Sequence, residues 1–139
     1  MQQARHELTI ETGGQGLYEV TDAIRGFVDD GDIETGLLTV FLHHTSASLI
    51  IQENADPTVR MDLQDFFKQL VPEDTALYRH RYEGADDMPA HIKTVLTNVQ
   101  LTIPVTAGKL DLGTWQGIYL FEHRYQRHRR RLTLHLLGE

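Results

Sequence analysis

The segment Gly36 to His44 (GLLTVFLHH) constrains the fold most, because it is β-rich and apolar on both of its faces. Such a run suits a central strand covered on each side, and it delivers two histidines at its end. A central strand needs partners, and the chain supplies them as short segments. Arg5 to Glu11 alternates apolar and polar residues and runs into Gly13-Gly14-Gln15-Gly16, a turn that predicts an opening hairpin with Leu17 to Val20. Residues 46 to 53, 99 to 105, 117 to 124 and 131 to 137 read as further strands.

Three stretches break the period of two. Thr21 or Asp22 can cap a short helix carrying Ile24, Phe27 and Val28, which stops near Gly31. Pro57 opens a second helix in which Val59, Leu63, Phe66, Phe67 and Leu70 recur at helical spacing, so an apolar stripe is expected to face the core until Pro72. Asp87-Met88-Pro89 opens a third, with Met88, Ile92, Val95 and Leu96 as the expected buried stripe and His91 on its edge. Between the last two, residues 73 to 87 are polar and aperiodic and read as a long loop of the functional kind. Many hairpin-length turns with only two or three helices predict an α+β fold of mainly antiparallel, sandwich-like sheet layers in a single domain spanning residues 1 to 139.

Charge and composition exclude several functions. A formal net charge of −7 argues against a general nucleic-acid binder, which needs a basic face to displace counterions. The positive charge that exists is concentrated at Arg124, Arg127, Arg129, Arg130 and Arg131, a run able to hold a phosphate or to serve as a solvated strand end. The chain has no cysteine, which removes disulfides and thiolate chemistry. No apolar stretch approaches the roughly 20 residues of a membrane span, so the expected setting is the cytoplasm, without a membrane partner. The glycine loops of nucleotide binders, HExxH and GxSxG are all absent.

Chemistry must then come from scattered polar residues. His43 and His44 are adjacent on a strand, so their side chains leave on opposite faces and only one can join a given site. His44 is followed by Thr45 and Ser46, whose hydroxyls can bind an anion or orient the imidazole. His91 lies near Asp86 and Asp87, and an imidazole beside a carboxylate is prepared for metal binding or acid-base work. Glu122 and Arg124 share a strand face, either as a simple ion pair or as a base or ligand beside a phosphate clamp. Trp115, next to Gln116, can stack on a flat heterocycle or simply fill the core, the use its size favours.

Four blocks give these residues a context: His43-His44-Thr45-Ser46-Ala47-Ser48-Leu49, Asn54-Ala55-Asp56-Pro57-Thr58-Val59-Arg60, the stretch from Tyr82 to Lys93, and the stretch from Gly113 to Arg124. In that order they resemble the YjbQ family, named for a secondary thiamine-phosphate synthase activity, and the resemblance covers nearly the whole chain. It implies a homotrimer with polar pockets near its subunit contacts. The implied reaction joins a hydroxymethylpyrimidine pyrophosphate to a thiazole phosphate with release of pyrophosphate; a non-catalytic trimer that binds a metal or a phosphometabolite is the alternative. The resemblance carries over His44, His91 and Glu122 as the catalytic group; His44 and His91 are expected to act as ligands of a divalent metal ion, zinc or magnesium, or as acid-base groups, with Glu122 assisting. The small phosphorylated substrate is expected to be bound by Thr45, Ser46, Asn54, Asp62, Asp87, Trp115, Gln116 and Arg124.

Overall fold

The computed structural model describes every residue from Met1 to Glu139. Alternation along Thr35–Leu42 (β3) buries Leu38, Val40 and Leu42 and turns Leu37 and Phe41 to the outside. The same period buries Leu132, Leu134 and Leu136 of His128–Gly138 (β8), and Ile103 and Val105 of Gln100–Thr106 (β5). These strands assemble, with Gln2–Thr12 (β1) and Lys109–Leu110 (β6), into a five-stranded antiparallel sheet ordered β1-β8-β3-β5-β6. The apolar run thus forms the middle strand, as expected. Only one of its faces is covered within the chain, however, and Leu37, Phe41 and Leu137 remain exposed.

A second antiparallel sheet orders Gly16–Glu19 (β2), Gln116–Glu122 (β7) and Ala47–Glu53 (β4) as β2-β7-β4. Its Ala47, Leu49, Ile118 and Leu120 share one apolar cluster with the inner face of the larger sheet and with Ile24 and Val28 of the helix Thr21–Asp29 (α1). This is the α+β arrangement of sheet layers with three helices. Gly36 and Gly138 are register partners in the β3/β8 ladder. A Cβ on Gly36 would run into the Leu137 carbonyl, and one on Gly138 into the Thr35 carbonyl, so only glycine fits this close approach.

Four details depart from the sequence reading. The glycine-rich turn does not close a hairpin, because β1 pairs with β8 and β2 with β7, in different sheets. Neither Thr21 nor Asp22 caps α1; Val20 occupies that position, and the Thr21 hydroxyl instead accepts a hydrogen bond from the Ile118 amide and donates to Glu19. The helix Pro57–Leu70 (α2) opens at Pro57 as expected, with Asp56 as its cap, yet none of its residues is fully buried and Met61, Phe66 and Leu70 are exposed. Phe67 packs edge-on against Phe121, so α2 lies across the small sheet without being enclosed. The helix Asp87–Leu96 (α3) is turned relative to its expected stripe. It buries Asp87, Pro89, Ala90, Lys93 and Thr94, while Val95 is 82% exposed and Leu96 also faces out. Polar bonds fix that orientation, since the Thr94 hydroxyl reaches the carbonyls of Ala47 and Ala90 and Asp87 is held by Arg124.

Candidate metal centre

Three side chains converge where the long loop enters α3. Asp87 and His91 are one turn apart on the same helix face, and His80 comes from the loop that precedes it. Their ligand atoms all lie within 4.8 Å of one another. Asp87 Oδ2 stands 2.6 Å from His80 Nε2 and 3.4 Å from His91 Nε2. The other carboxylate oxygen, Oδ1, accepts a hydrogen bond from Arg124 NH1 at 2.5 Å. One oxygen therefore faces both imidazoles while its twin is tied back into the protein.

The positions of these groups are themselves held. His91 Nδ1 donates to the Thr45 carbonyl at 3.0 Å, which puts the ring proton on Nδ1 and leaves the Nε2 lone pair facing Asp87. An imidazole that gives its distal N–H to a backbone carbonyl is in the state that binds a metal. Arg124 also donates to Asp86 Oδ2 and to the Glu83 carbonyl, and the Tyr125 amide donates to the same Asp86 oxygen. Gly84 makes the intervening turn at a φ of 106°, where a Cβ would come within 2.8 Å of Asp86. Burial raises the Asp87 carboxyl, but the His80 hydrogen bond and the charge of Arg124 outweigh it and hold the group below the usual carboxylate range. The donor set, two imidazoles and one ionised carboxylate with part of the cluster open to solvent, fits a divalent ion with free coordination positions.

Glu122 and His44 belong to a second, adjacent network. The buried Glu122 carboxylate accepts from Thr12 Oγ1 at 2.6 Å, from Arg130 Nε at 2.7 Å and NH2 at 2.5 Å, and from the amides of His123 and Arg124. Burial raises this carboxyl, and the hydrogen bonds of Arg130 and Thr12 more than reverse the effect. Its oxygens are fully used by donors of the chain. The ion pair considered for Glu122 and Arg124 is thus a different one, Glu122 with Arg130 and Arg124 with Asp86 and Asp87. Arg130 NH2 also donates to the carbonyl and the hydroxyl of Ser46.

The Arg131 amide donates to His44 Nε2 at 2.8 Å, so the neutral ring carries its proton on Nδ1. Arg130 NH1, 3.4 Å from that nitrogen, then faces another donor. Burial first, and the Arg130 charge second, push the His44 pKa down. His44 and His91 line one cavity of about 510 Å³ with Phe41, Leu42 and Val95 among its walls, but His44 lies outside the cluster of three candidate ligands. A larger cavity of about 650 Å³ between α1 and β1 brings no such cluster together.

The remaining expected residues are dispersed. Thr45 contributes its carbonyl, through the bond to His91. Trp115 is 62% exposed, which overturns the core placement its size suggests. Gln116 turns back to accept from the Gly113 amide, and the Asn54 amide bonds the Trp115 carbonyl. Trp115 and Gln116 sit at the start of β7 with Asn54 beside them, just past the end of β4, and Gln116 is six strand steps and roughly 20 Å from Glu122 at the other end of β7. Asp62 is exposed on α2. The residue that sequence reasoning omits is His80. It stands in an aperiodic loop, where only the loop's length and polarity mark it.

Comparison with known proteins agrees with the fold and with the family resemblance. The family model described as "UPF0047 protein YjbQ-like" matches residues 6–139. The chain is 54% identical over 132 residues to a UPF0047 protein of Synechocystis, covering 95% of this chain and 90% of that protein. It is 52% identical over 121 residues to UPF0047 protein YjbQ of Salmonella typhimurium, covering 87% and 85%. A conserved hypothetical protein from Thermus thermophilus superposes with a TM-score of 0.85 at 33% identity, covering 95% of this chain and 99% of that one. No helix of the chain is long and apolar enough to cross a membrane. On the length and identity of these matches, the chain belongs to the YjbQ-like UPF0047 family.

Proposed function

We propose that the chain is a divalent-metal-dependent enzyme of small phosphorylated metabolites, and that the reaction is a transfer of the thiamine-phosphate synthase kind. The observation that carries this reading is the His80, Asp87 and His91 cluster, with the His91 tautomer set by the Thr45 carbonyl. Two imidazoles and one carboxylate favour zinc or a similar borderline ion over magnesium, which prefers oxygen ligands.

In the proposed reaction the thiazole nitrogen supplies the electron pair for a new C–N bond to the pyrimidine methylene. The methylene C–O bond breaks, and its electron pair leaves with pyrophosphate. A bound metal ion would supply positive charge for that leaving group. His80, Asp87 and His91 would hold the ion. Arg124 would act by fixing Asp86 and Asp87, since its guanidinium is already engaged with them and is not free as a phosphate clamp. The apolar side chains lining the 510 Å³ cavity would give a flat ring a contact surface next to His91.

Trp115, Gln116 and Asn54 would contribute only if a neighbouring copy brought them to this cleft, as in the homotrimer implied by the family resemblance. The exposed Leu37, Phe41 and Leu137 on one sheet face support self-association. The test is formation of thiamine phosphate and pyrophosphate from the two phosphorylated precursors, by wild type and by Asp87→Asn and His91→Ala, after chelation and after adding back single metals. Product that requires both the metal and His91 supports the transferase. A folded, metal-loaded wild type that forms none rejects it in favour of a protein that binds without turnover.

A further inference from the structure

The arginine run near the chain's end is divided by the fold. Arg124 is committed to Asp86 and Asp87, Arg130 is buried on Glu122, and Arg131 stands 3.6 Å from Glu7. Arg127 takes part in no ion pair. Arg129 has only a loose 3.6 Å contact with Glu11, in which the two side chains are 76% and 78% exposed. Arg127 and Arg129 share one cavity of about 380 Å³ with Glu11, Thr12, Gly13 and His128, and none of these six residues is hydrophobic.

The floor of that cavity is fixed. Glu11 pairs with Arg129 and Thr12 with His128 in the β1/β8 ladder, and the Thr12 hydroxyl is anchored on the buried Glu122. Two guanidiniums can grip the oxygens of one phosphoryl or diphosphoryl group bidentately. A lining without hydrophobic residues suits such a group. The acidic balance of the rest of the chain, net −7, confines the attraction to this spot and disfavours extended polyanions.

We propose that Arg127 and Arg129 form a phosphate-binding subsite at the β1/β8 end, separate from the His80, Asp87 and His91 cluster and able to take a phosphate or diphosphate group without a metal ion. The subsite stands independently of the proposed reaction. It also reassigns the anion-binding role considered for the arginine run from Arg124 to the two arginines that the fold leaves uncommitted.

The experiment is calorimetric and NMR titration of the metal-stripped full chain with sodium pyrophosphate and with orthophosphate, at constant ionic strength. Arg127→Ala/Arg129→Ala should weaken pyrophosphate binding by roughly tenfold or more, and Glu11→Gln should tighten it, because Glu11 competes for Arg129. Arg131→Ala, the control, should change it less than about twofold. All four substitutions are at exposed positions, and thermal melts check that each variant is folded. Tighter binding of pyrophosphate than of orthophosphate assigns a diphosphate, and equal binding a single phosphoryl group. Absence of binding at millimolar pyrophosphate, or binding that the double variant leaves unchanged, overturns the proposal. His91→Ala should keep full pyrophosphate affinity, so failure of the metal-centre reading and failure of this subsite are told apart.

Discussion

His123 links this fold to pH. The side chain is 1% exposed, its Nε2 lies 2.9 Å from Ser48 Oγ, and its Nδ1 has no hydrogen-bond partner. Burial first, then the charges of Lys93 and Arg130, push its pKa from the ordinary 6.5 to about 3. In the unfolded chain the group regains its ordinary value. Between these two values the unfolded state binds the extra proton, so stability is complete above about pH 6.5 and is lost as the pH falls. The slope approaches about 1.4 kcal/mol per pH unit, and integration from pH 7 to pH 5 gives a loss of about 2 kcal/mol from this one residue. His44, lowered mainly by burial, adds in the same direction. The depressed carboxyls Asp86, Asp87 and Glu122 lose their contribution only below their unfolded range near pH 4, which leaves the interval from pH 7 to 5 to histidine. Urea unfolding of wild type and His123→Gln at pH 7, 6 and 5 measures the effect, since glutamine offers Ser48 a partner near the Nε2 position without titrating. Wild-type stability that is flat over this interval, or an equal slope in the variant, would refute the argument.

Other outcomes follow from the same geometry. Asp87→Asn should lower zinc affinity by roughly tenfold to a hundredfold or more in a competitive chelator titration, because it removes the one charged ligand while keeping the side-chain shape. Metal affinity measured the same way should fall as the pH is lowered, since protonated imidazole does not ligate; constant affinity from pH 8 to 5 would count against imidazole ligands. Glu122→Ala leaves Arg130 buried without its counter-ion and should cost about 3 to 5 kcal/mol in denaturant unfolding. Val95→Ala should shift stability by no more than about 0.5 kcal/mol, because Val95 lies on the outward side of α3; a loss near that of a core valine would restore the helix orientation read from periodicity.

Sequence reading succeeds where side chains are selected by burial. The β3 run, the strands read at residues 99 to 105 and 131 to 137, and the Pro57 start of α2 are all local patterns, and each appears in its expected place. Pairing is less legible, because a glycine turn fixes only a change of direction and not which strand lies beside which. Thus β1 and β2 separate into two sheets. The α3 orientation escapes the pattern for a related reason. Apolar periodicity assumes that apolar residues face inward, whereas Asp87 and Thr94 gain specific partners inside and displace Val95 and Leu96 outward. At the candidate metal centre, His91 and the nearby Asp87 stand out in the sequence because an imidazole lies close to carboxylates at a helix start, although Asp87 is expected there to bind substrate. His80 does not stand out, since its proximity is made by the path of a loop. The partners of Arg124 and Arg130 are equally hidden, because Arg124 meets carboxylates far from it in sequence and Arg130 takes the glutamate that strand spacing pairs with Arg124.

The grip of Arg124 on Asp86 and Asp87 bears on how ion binding should register as heat stability. With Asp87 Oδ1 already held by Arg124 and His91 already oriented by Thr45, two of the three candidate ligands are arranged by bonds that do not involve an ion. Loading should therefore leave the backbone dichroism of the chain unchanged, unlike that of small domains whose folding waits for zinc. The rise in melting temperature should instead grow smoothly with free ion concentration above the dissociation constant, the behaviour of a ligand docking into a prepared receptor.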